Sequence, residues 1–162
     1  MIIEPMKAIT VHNPWSWLLA ILAKKYETRS WATKYRGPIA IHAGLAYDNC
    51  FLNEFAEAAH AALKTLLPGF SCMHELPRGC VIATAELVQC WEVDSINRFG
   101  DPFLAASNGK VTSYITITSK TDQLFGDFTP GRFAWEFANM RMLDMPIPAK
   151  GKQGLWNWEG VA

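Results

Sequence analysis

The sequence has little of three features that would assign it to a familiar class of protein: surplus charge of one sign, paired cysteines and long apolar runs. Its 15 basic and 15 acidic side chains give a formal net charge of zero, which argues against a protein that coats duplex nucleic acid through bulk electrostatics. The longest apolar run, WSWLLAILA, is too short to span a bilayer, and no N-terminal run of the signal-peptide type is present. We therefore expect a cytoplasmic protein with no membrane partner.

The cysteines form no pair with the spacing of a metal site or a redox motif. Cys72 has His74 two residues further on, but a closed structural zinc site needs four ligands at recognisable spacing. We expect free thiols in a reducing compartment, with no metal ion and no cofactor. The four residues concerned are Cys50, Cys72, Cys80 and Cys90.

What the chain does have is tryptophan, together with a short segment in which basic and aromatic residues alternate. Seven Trp among 162 residues is a high content, and Trp serves either as core bulk or as a platform for flat ligands. The segment Lys24–Gly37, KKYETRSWATKYRG, holds five of the 15 basic residues and one acid. If YETRSW is extended, Glu27, Arg29 and Trp31 share one face. A local basic and aromatic patch is typical of a nucleic-acid binder.

Hydrophobic periodicity and turn residues predict two helices and about six short strands. Asn13 and Pro14 are typical of a helix start, and this helix is predicted to run to about Lys25. A second helix is predicted from Asp48 or Asn49 to about Leu66. Residues 94–110 are predicted to form a loop or a short helix. Strands are predicted at 7–11, 39–43, 80–93, 110–120 and 129–137, with a closing apolar segment at the C-terminal end.

These elements fit a single domain over residues 1–162, of which residues 1–5 form a short N-terminal arm. The chain is long enough to bury a core without a metal or a disulfide. A strand-rich pattern with two early helices predicts an α+β fold, in which helices cover a small curved sheet or barrel.

Six segments, in order along almost the whole chain, carry a resemblance to a known family. They are HNPWSWLL (12–19), K-x-x-E-x-R-S-W (24–31), YRGPIAIHA (35–43), LPRGCVIATAEL (76–87), GRFAWEF (131–137) and PIPAKGKQGLW (146–156). Together they resemble the ASCH domain, a branch of the PUA-like superfamily. The resemblance implies a PUA-like β-barrel with a cleft, a link to RNA or modified nucleosides, and in some members a small hydrolase activity on acetylated cytidine. ASCH domains also occur in transcription coactivators.

The resemblance implies a comparison with the hydrolases of the family, in which a Lys, a Thr and a Glu act together and the Lys and Thr are spaced K-x-x-T. In this chain Lys24 occupies the Lys position, Glu27 stands in place of the Thr, and Glu86 matches the acidic position. A carboxylate is a poorer acyl nucleophile than an activated hydroxyl. Glu27 therefore shifts the prediction from catalysis towards binding, although Lys24, Glu27 and Glu86 remain candidates for an acid/base set.

The candidate site is a ligand cleft with basic residues beside it. The predicted cleft residues are Trp15, Lys24, Glu27, Arg29, Trp31 and Glu86, and the further binding candidates are Lys34, Arg36, Lys150 and Lys152. Gly151, between the last two lysines, could bring backbone N–H groups near an anion.

Each of these side chains also has a purely structural interpretation. Both Trp side chains could be core, and the lysines and Arg36 could belong to ordinary exposed loops. Arg29 could pair with Glu27 or Glu86. Glu86 interrupts an otherwise apolar strand, which is costly unless its carboxylate is paired or neutral, and it could bridge to Arg29 or Lys24.

The main functional prediction is a protein that binds single-stranded RNA or a nucleotide-sized ligand, because a neutral chain favours these over duplex. The first alternative is a small amidohydrolase acting on acetylated cytidine or a related modified nucleoside. The second is a protein-interaction module of the coactivator type, which would show a contiguous exposed apolar patch. The sequence leaves the oligomeric state open.

Overall fold

The structure is a computed structural model that describes residues 2–48 and 54–161. Within these ranges the chain forms eight strands, three α-helices and one 3₁₀ turn. Along the chain they are β1 (Met6–Asn13), α1 (Trp15–Ala20), β2 (Tyr26–Arg29), β3 (Gly37–Tyr47), α2 (Glu54–Leu66), the 3₁₀ turn (Met73–Glu75), β4 (Cys80–Ile96), β5 (Pro102–Ser107), β6 (Thr112–Thr116), α3 (Lys120–Leu124), β7 (Phe133–Pro148) and β8 (Leu155–Trp158).

The eight strands form one mixed sheet. Hydrogen-bonded neighbours follow the order β2-β7-β4-β3-β1-β8, and β5 pairs with β4 and with β6. β1 and β3 run parallel, whereas β1 with β8, β2 with β7, and β5 with β4 and β6 are antiparallel. In the described part of the chain this path ends at β2 and β8 without joining them. The α+β class is confirmed, and barrel closure stays a prediction.

The chain is divided into two compact units whose segments alternate along the sequence. The first unit consists of Met1–Ala23, Pro38–Glu86 and Asn139–Ala162, and the second of Lys24–Gly37 and Leu87–Ala138. β4 and β7 each continue from one unit into the other. Because each unit is built from separate segments, neither is a contiguous stretch of sequence, and the single domain over residues 1–162 stays a prediction.

The core of the first unit lies on both faces of β1 and β3. On one face, small residues of these strands leave room for the indoles of Trp156 and Trp158, and this cluster also contains Ala8, Ala40 and Val81. Residues of the opposite parity are also buried, among them Ile9, Val11, Ile39 and Ile41. Alternation at period two thus buries both faces of this parallel pair. Trp156 and Trp158 are both buried and belong to this core.

Helix α1 is shorter than predicted, because the chain turns left-handed at Leu22. The backbone φ of Leu22 is +62°, and its N–H donates to the Leu19 carbonyl (3.0 Å) while that of Ala23 donates to Leu18 (2.9 Å). These two bonds are the Schellman pattern that ends a helix, in which glycine usually takes the left-handed position. The predicted extension to Lys25 is wrong, since leucine gives no signal of this turn, and Leu22 is 70% exposed.

Helix α2 ends at Leu66 as predicted. Of its two predicted start residues, Asp48 directly follows β3, and Asn49 lies outside the described residues. Among the described residues, no helix is both long and apolar enough to cross a membrane.

Residues 94–110 contain a strand, so the prediction of a loop or short helix there is wrong. β4 continues to Ile96, and β5 pairs with both β4 and β6. Leu104 of β5 is buried in the core of the second unit together with Trp91, Val93, Ile117, Phe128 and Ala134. Packing of alternate residues of β5 against this core outweighs the weak strand preference of its two alanines.

The predicted N-terminal arm is tied to the end of the first unit. Ile3 and Val161 form an isolated antiparallel bridge, with N–H to carbonyl distances of 2.8 and 2.9 Å. Gly160 permits this approach, because its φ is +72° and a Cβ there would collide with the Ile3 carbonyl oxygen.

Candidate functional site

The central feature of the basic segment Lys24–Gly37 is a buried carboxylate that contacts two cations. Lys24 Nζ lies 3.1 Å from Glu27 Oε2, and Arg29 Nε lies 3.2 Å from Glu27 Oε1. Glu27 and Arg29 are in β2 and share one face of it, while Lys24 lies just before the strand. The side chains of Lys24, Glu27 and Arg29 are 3%, 10% and 25% exposed. The three predicted residues therefore meet in one site with two positive charges and one negative charge.

β7 holds this group in place from the neighbouring strand. In the antiparallel register Glu27 lies opposite Trp135, and Arg29 lies opposite Phe133. Trp135 is fully buried, and directly opposed residues share one face of the sheet, so Glu27 lies on the face that carries this buried indole. A carboxylate in such a position needs a partner to offset desolvation, and Lys24 and Arg29 supply it.

Trp31 follows β2 and packs on the same tryptophan. The rings of Trp31 and Trp135 meet edge to face with centroids 4.6 Å apart, and Trp135 Nε1–H donates to the Trp31 carbonyl at 3.3 Å. Trp31 is only partly buried. The structural interpretation, in which Trp31 packs on the core and Arg29 pairs with Glu27, matches these contacts, and part of the Trp31 side chain remains accessible.

Residues 30–36 form a loop that fixes the guanidinium of Arg36. Its Nη1 donates to the carbonyls of Thr33 (3.0 Å) and Tyr35 (2.7 Å), and its Nη2 donates to Gln89 Oε1 (2.6 Å). All three acceptors are neutral, and no described acidic side chain lies within ion-pair distance of Arg36. Lys34 in the same loop is exposed. The loop thus carries two positive charges: that of Arg36, which is held in place by neutral acceptors, and that of the exposed Lys34.

A second charged group, which the sequence analysis did not select, lies on the other face of β2 and β7. Lys25 Nζ lies 2.8 Å from Glu136 Oε1, and Trp91 Nε1–H donates to Glu136 Oε2 at 2.7 Å. The hydrogen bond to Glu136 raises the pKa of Lys25, and desolvation opposes this. Burial raises the pKa of the adjacent Tyr26. The signal available in the sequence was an acid inside the aromatic strand FAWEF, the same kind of signal that drew attention to Glu86.

Two predicted cleft residues belong to the first unit, where their contacts differ from those expected. Glu86 is exposed, and Asn139 Nδ2–H donates to its Oε2 at 3.3 Å. Its carboxylate therefore carries no burial cost, because it lies on the exposed side of β4. The Trp15 indole donates to Asp48 Oδ2 at 2.8 Å and is partly buried. The six-residue cleft stays a prediction.

Lys150 and Lys152 are exposed in the loop that leads to β8. The loop is fixed at His42, whose Nε2 lies 2.8 Å from the Ala149 carbonyl and must donate to it. A Cβ on Gly151 would lie 2.6 Å from His42 Cε1, so the glycine permits close packing on the imidazole. Burial lowers the pKa of His42, and the bond to Ala149 opposes this. Its Nδ1 has no hydrogen-bond partner among the described residues.

The described residues contain no group of three or more His, Cys, Asp or Glu that could hold a metal ion. Cys72, Cys80 and Cys90 are free thiols, of which Cys80 is buried and the others are partly buried. Burial raises the pKa of both Cys80 and Cys90, which disfavours the reactive thiolate. Cys50 lies outside the described residues.

No protein-family model matches the chain, and no curated protein matches it. The ASCH resemblance therefore depends on the six sequence segments alone.

The chemistry open to the Lys24–Glu27–Arg29 group follows from its contacts. Both oxygens of the carboxylate contact cations, and the ammonium of Lys24 contacts the carboxylate, so these groups neutralise one another in part. Arg29, the most exposed member, and Arg36 in the loop remain the donors best placed for an external anion.

Proposed function

We propose that this chain is an ASCH-type protein with a PUA-like fold that binds single-stranded RNA or a nucleotide-sized ligand. The binding surface is the second unit's basic segment, with Arg36 and Lys34 on phosphate and Trp31 beside a base. Arg29 contributes a partly exposed guanidinium next to Trp31. The neutral net charge of the chain favours a short or single-stranded ligand, which a local patch can hold.

The observation that carries this proposal is the guanidinium of Arg36, held by three neutral acceptors. Ordering a long side chain costs conformational entropy, and here that cost is met before any ligand arrives. A fixed, planar guanidinium can donate two parallel hydrogen bonds to a pair of phosphate oxygens.

The side chain of Trp31 supports the choice of a nucleotide over a simple anion. Stacking of a base on an aromatic ring contributes about 1–3 kcal/mol and tolerates any base. Trp31 is held edge-on by Trp135, so its orientation is fixed. A phosphate group on Arg36 with a base near Trp31 would use both features of the loop.

The test is a salt titration of RNA binding followed by fluorescence anisotropy, with a short labelled single-stranded RNA as the probe. We expect saturable binding at low salt. Because hydrogen bonds to charged groups are worth about 1.5–3 kcal/mol, Arg36→Gln should weaken binding about tenfold or more. The slope of log affinity against log salt should fall in magnitude by about 0.7, the value for one lost phosphate contact on a single strand.

The matched control is Lys120→Gln, which removes a positive charge that already pairs with Asp101 at 2.7 Å in the same unit. This variant should keep the affinity and salt slope of the wild type. Absence of saturable binding by the wild type at low salt would contradict the function. Wild-type binding that Arg36→Gln and Trp31→Ala leave unchanged would contradict the location of the site.

A further inference from the structure

β6 has an open edge in the second unit. It pairs with β5 on one side, and among the described residues no strand pairs with its other side. The Ile117 N–H donates to the Pro102 carbonyl (2.9 Å) and the Asn108 N–H to the Val111 carbonyl (3.2 Å). Since inward bonding alternates along an antiparallel strand, residues 111, 113, 115 and 117 bond towards β5. The N–H and C=O groups of Thr112, Tyr114 and Thr116 therefore face outward.

This edge lacks the usual devices that prevent strand pairing. Proteins protect exposed edges with charged side chains, proline or bulges, and VTSYITIT (111–118) contains neither charge nor proline. The register between β5 and β6 is continuous from Ser107–Thr112 to Phe103–Thr116, without a bulge. Tyr114 at the middle of the strand is 59% exposed. The edge is thus short, neutral and regular.

The outward groups are symmetric about Tyr114. In an antiparallel pairing of two identical strands centred on this residue, Tyr114 lies opposite Tyr114, and Thr112 lies opposite Thr116 of the second copy. All three outward residues of each strand then fall at hydrogen-bonded positions, so the six outward groups of one copy meet the six of the other. Lys110, the charged residue just before this segment, lies opposite Thr118 of the second copy. The pairing therefore brings no like charges face to face.

We propose that β6 is a homodimer interface, in which two copies of this chain pair antiparallel through Thr112, Tyr114 and Thr116 about a twofold axis at Tyr114. An isologous contact of this kind closes with two subunits. The aromatic face adds to it: Phe103 and Tyr114 stack with centroids 5.4 Å apart and planes 9° apart. Directly opposed residues point to the same face, so the two Tyr114 rings and the two Phe103 rings form one row.

The test uses charges placed at the two positions that the symmetry brings together. In Thr112→Lys/Thr116→Lys each introduced lysine faces another lysine, at both ends of the paired strands. In Thr112→Lys/Thr116→Glu each introduced lysine faces an introduced glutamate. Both pairs of substitutions are on the exposed side of an edge strand, and circular dichroism and thermal melting of dilute samples check that each variant is folded.

Sedimentation equilibrium over a concentration series is expected to show a reversible dimer for the wild type. The double-lysine variant should dissociate at least about tenfold more readily, since like charges directly opposite each other destabilise a strand pair. The lysine and glutamate variant should recover the dimer, and added salt should reduce the difference between the two variants.

A wild type that stays monomeric up to its solubility limit would overturn the proposal, including the case in which this edge binds an extended peptide of another protein. A dimer that both variants keep unchanged would also overturn it, because the contact would then lie elsewhere. Tyr114→Pro gives an independent check, since proline removes an outward N–H and leaves the bonds to β5 in place; it should weaken the dimer without unfolding the chain.

Discussion

Lys24 and Glu27 form an ion pair in which both side chains are almost fully buried, with Nζ 3.1 Å from Oε2 and side-chain exposures of 3% and 10%. The pair lies where the ASCH resemblance implies the functional Lys and its partner. A buried pair of this kind gives little net stability over an apolar pair, but loss of one member is costly. Comparing the loss of one member with the replacement of both therefore measures what the pair contributes to stability.

Glu27→Gln should lower the free energy of unfolding by about 3 kcal/mol, because it removes the buried carboxylate that contacts both Lys24 and Arg29. The double variant Lys24→Met/Glu27→Leu should be less destabilised than Glu27→Gln, since it removes both members of the most buried pair, and Arg29, which also loses its contact with Glu27, is 25% exposed. Urea unfolding measures both values. Equal destabilisation by the single and double variants would contradict this account of the pair.

Leu22→Gly should raise the free energy of unfolding. The left-handed conformation costs a non-glycine residue roughly 1–2 kcal/mol, and part of this gain is offset by the greater freedom of glycine in the unfolded chain, which leaves about 0.5–1 kcal/mol. Leu22→Ala is the matched control, as it removes the exposed side chain and keeps the strained φ. If thermal or urea unfolding shows the same gain in stability for Leu22→Ala as for Leu22→Gly, the gain does not come from relief of backbone strain.

Gly151→Ala should destabilise the first unit by about 1–3 kcal/mol through overpacking. The new Cβ would lie 2.6 Å from His42 Cε1 and 2.9 Å from Thr10 Oγ1. In a His42→Ala background the same change should cost less, because the imidazole is absent. Additive costs in this double-mutant cycle would show that the glycine is required for another reason.

The stability of the fold should fall as the pH drops below about 6.5, the ordinary pKa of histidine. Burial lowers the pKa of His42, so the unfolded chain binds more protons than the folded one between these two pKa values, and the free energy of unfolding rises with pH there. The stability contributed by neutral His42 is fully present above the ordinary pKa of histidine. It is lost as the pH falls through the lowered pKa of His42 in the folded protein. Urea unfolding at a series of pH values should give a shallower slope for His42→Gln than for the wild type. Identical slopes would exclude His42 as the cause.

Acetylated cytidine should remain intact during long incubation with the protein at high concentration. Both oxygens of Glu27 contact cations, and a carboxylate, which this chain has where the ASCH resemblance implies a Thr, is a poor acyl nucleophile. Proton NMR of released acetate is the measurement. Acetate release that Lys24→Ala abolishes would favour the amidohydrolase alternative over a purely binding function.

The sequence was sufficient for features that depend on local pattern. Hydrophobic patterning predicted a strand at 80–93, which forms most of β4, and the Lys24–Gly37 segment was recognised from composition alone. The pairing of Arg29 with Glu27 was one of the alternatives that the spacing allowed. These features depend on residues close together in the chain, where strand geometry fixes which side chains can meet.

Features that depend on long-range packing were missed. Glu136 is distant in sequence from Lys25, and only the pairing of β2 with β7 brings them together. β5 was missed because its short, alanine-containing run gains its strand conformation from the neighbouring strands. The end of α1 was missed for a different reason: the left-handed turn occurs at a leucine, a residue type that seldom takes it.

The edge-to-face contact of Trp31 and Trp135 gives the proposed binding loop its own optical reporter. Two indoles with centroids 4.6 Å apart couple their electronic transitions, which produces a paired signal of opposite signs in circular dichroism. A ligand that shifts the ring of Trp31 would change the strength of this signal, while the other tryptophans would contribute a constant background. Occupancy of the loop could then be followed on unlabelled protein, with Trp31→Phe as the blank.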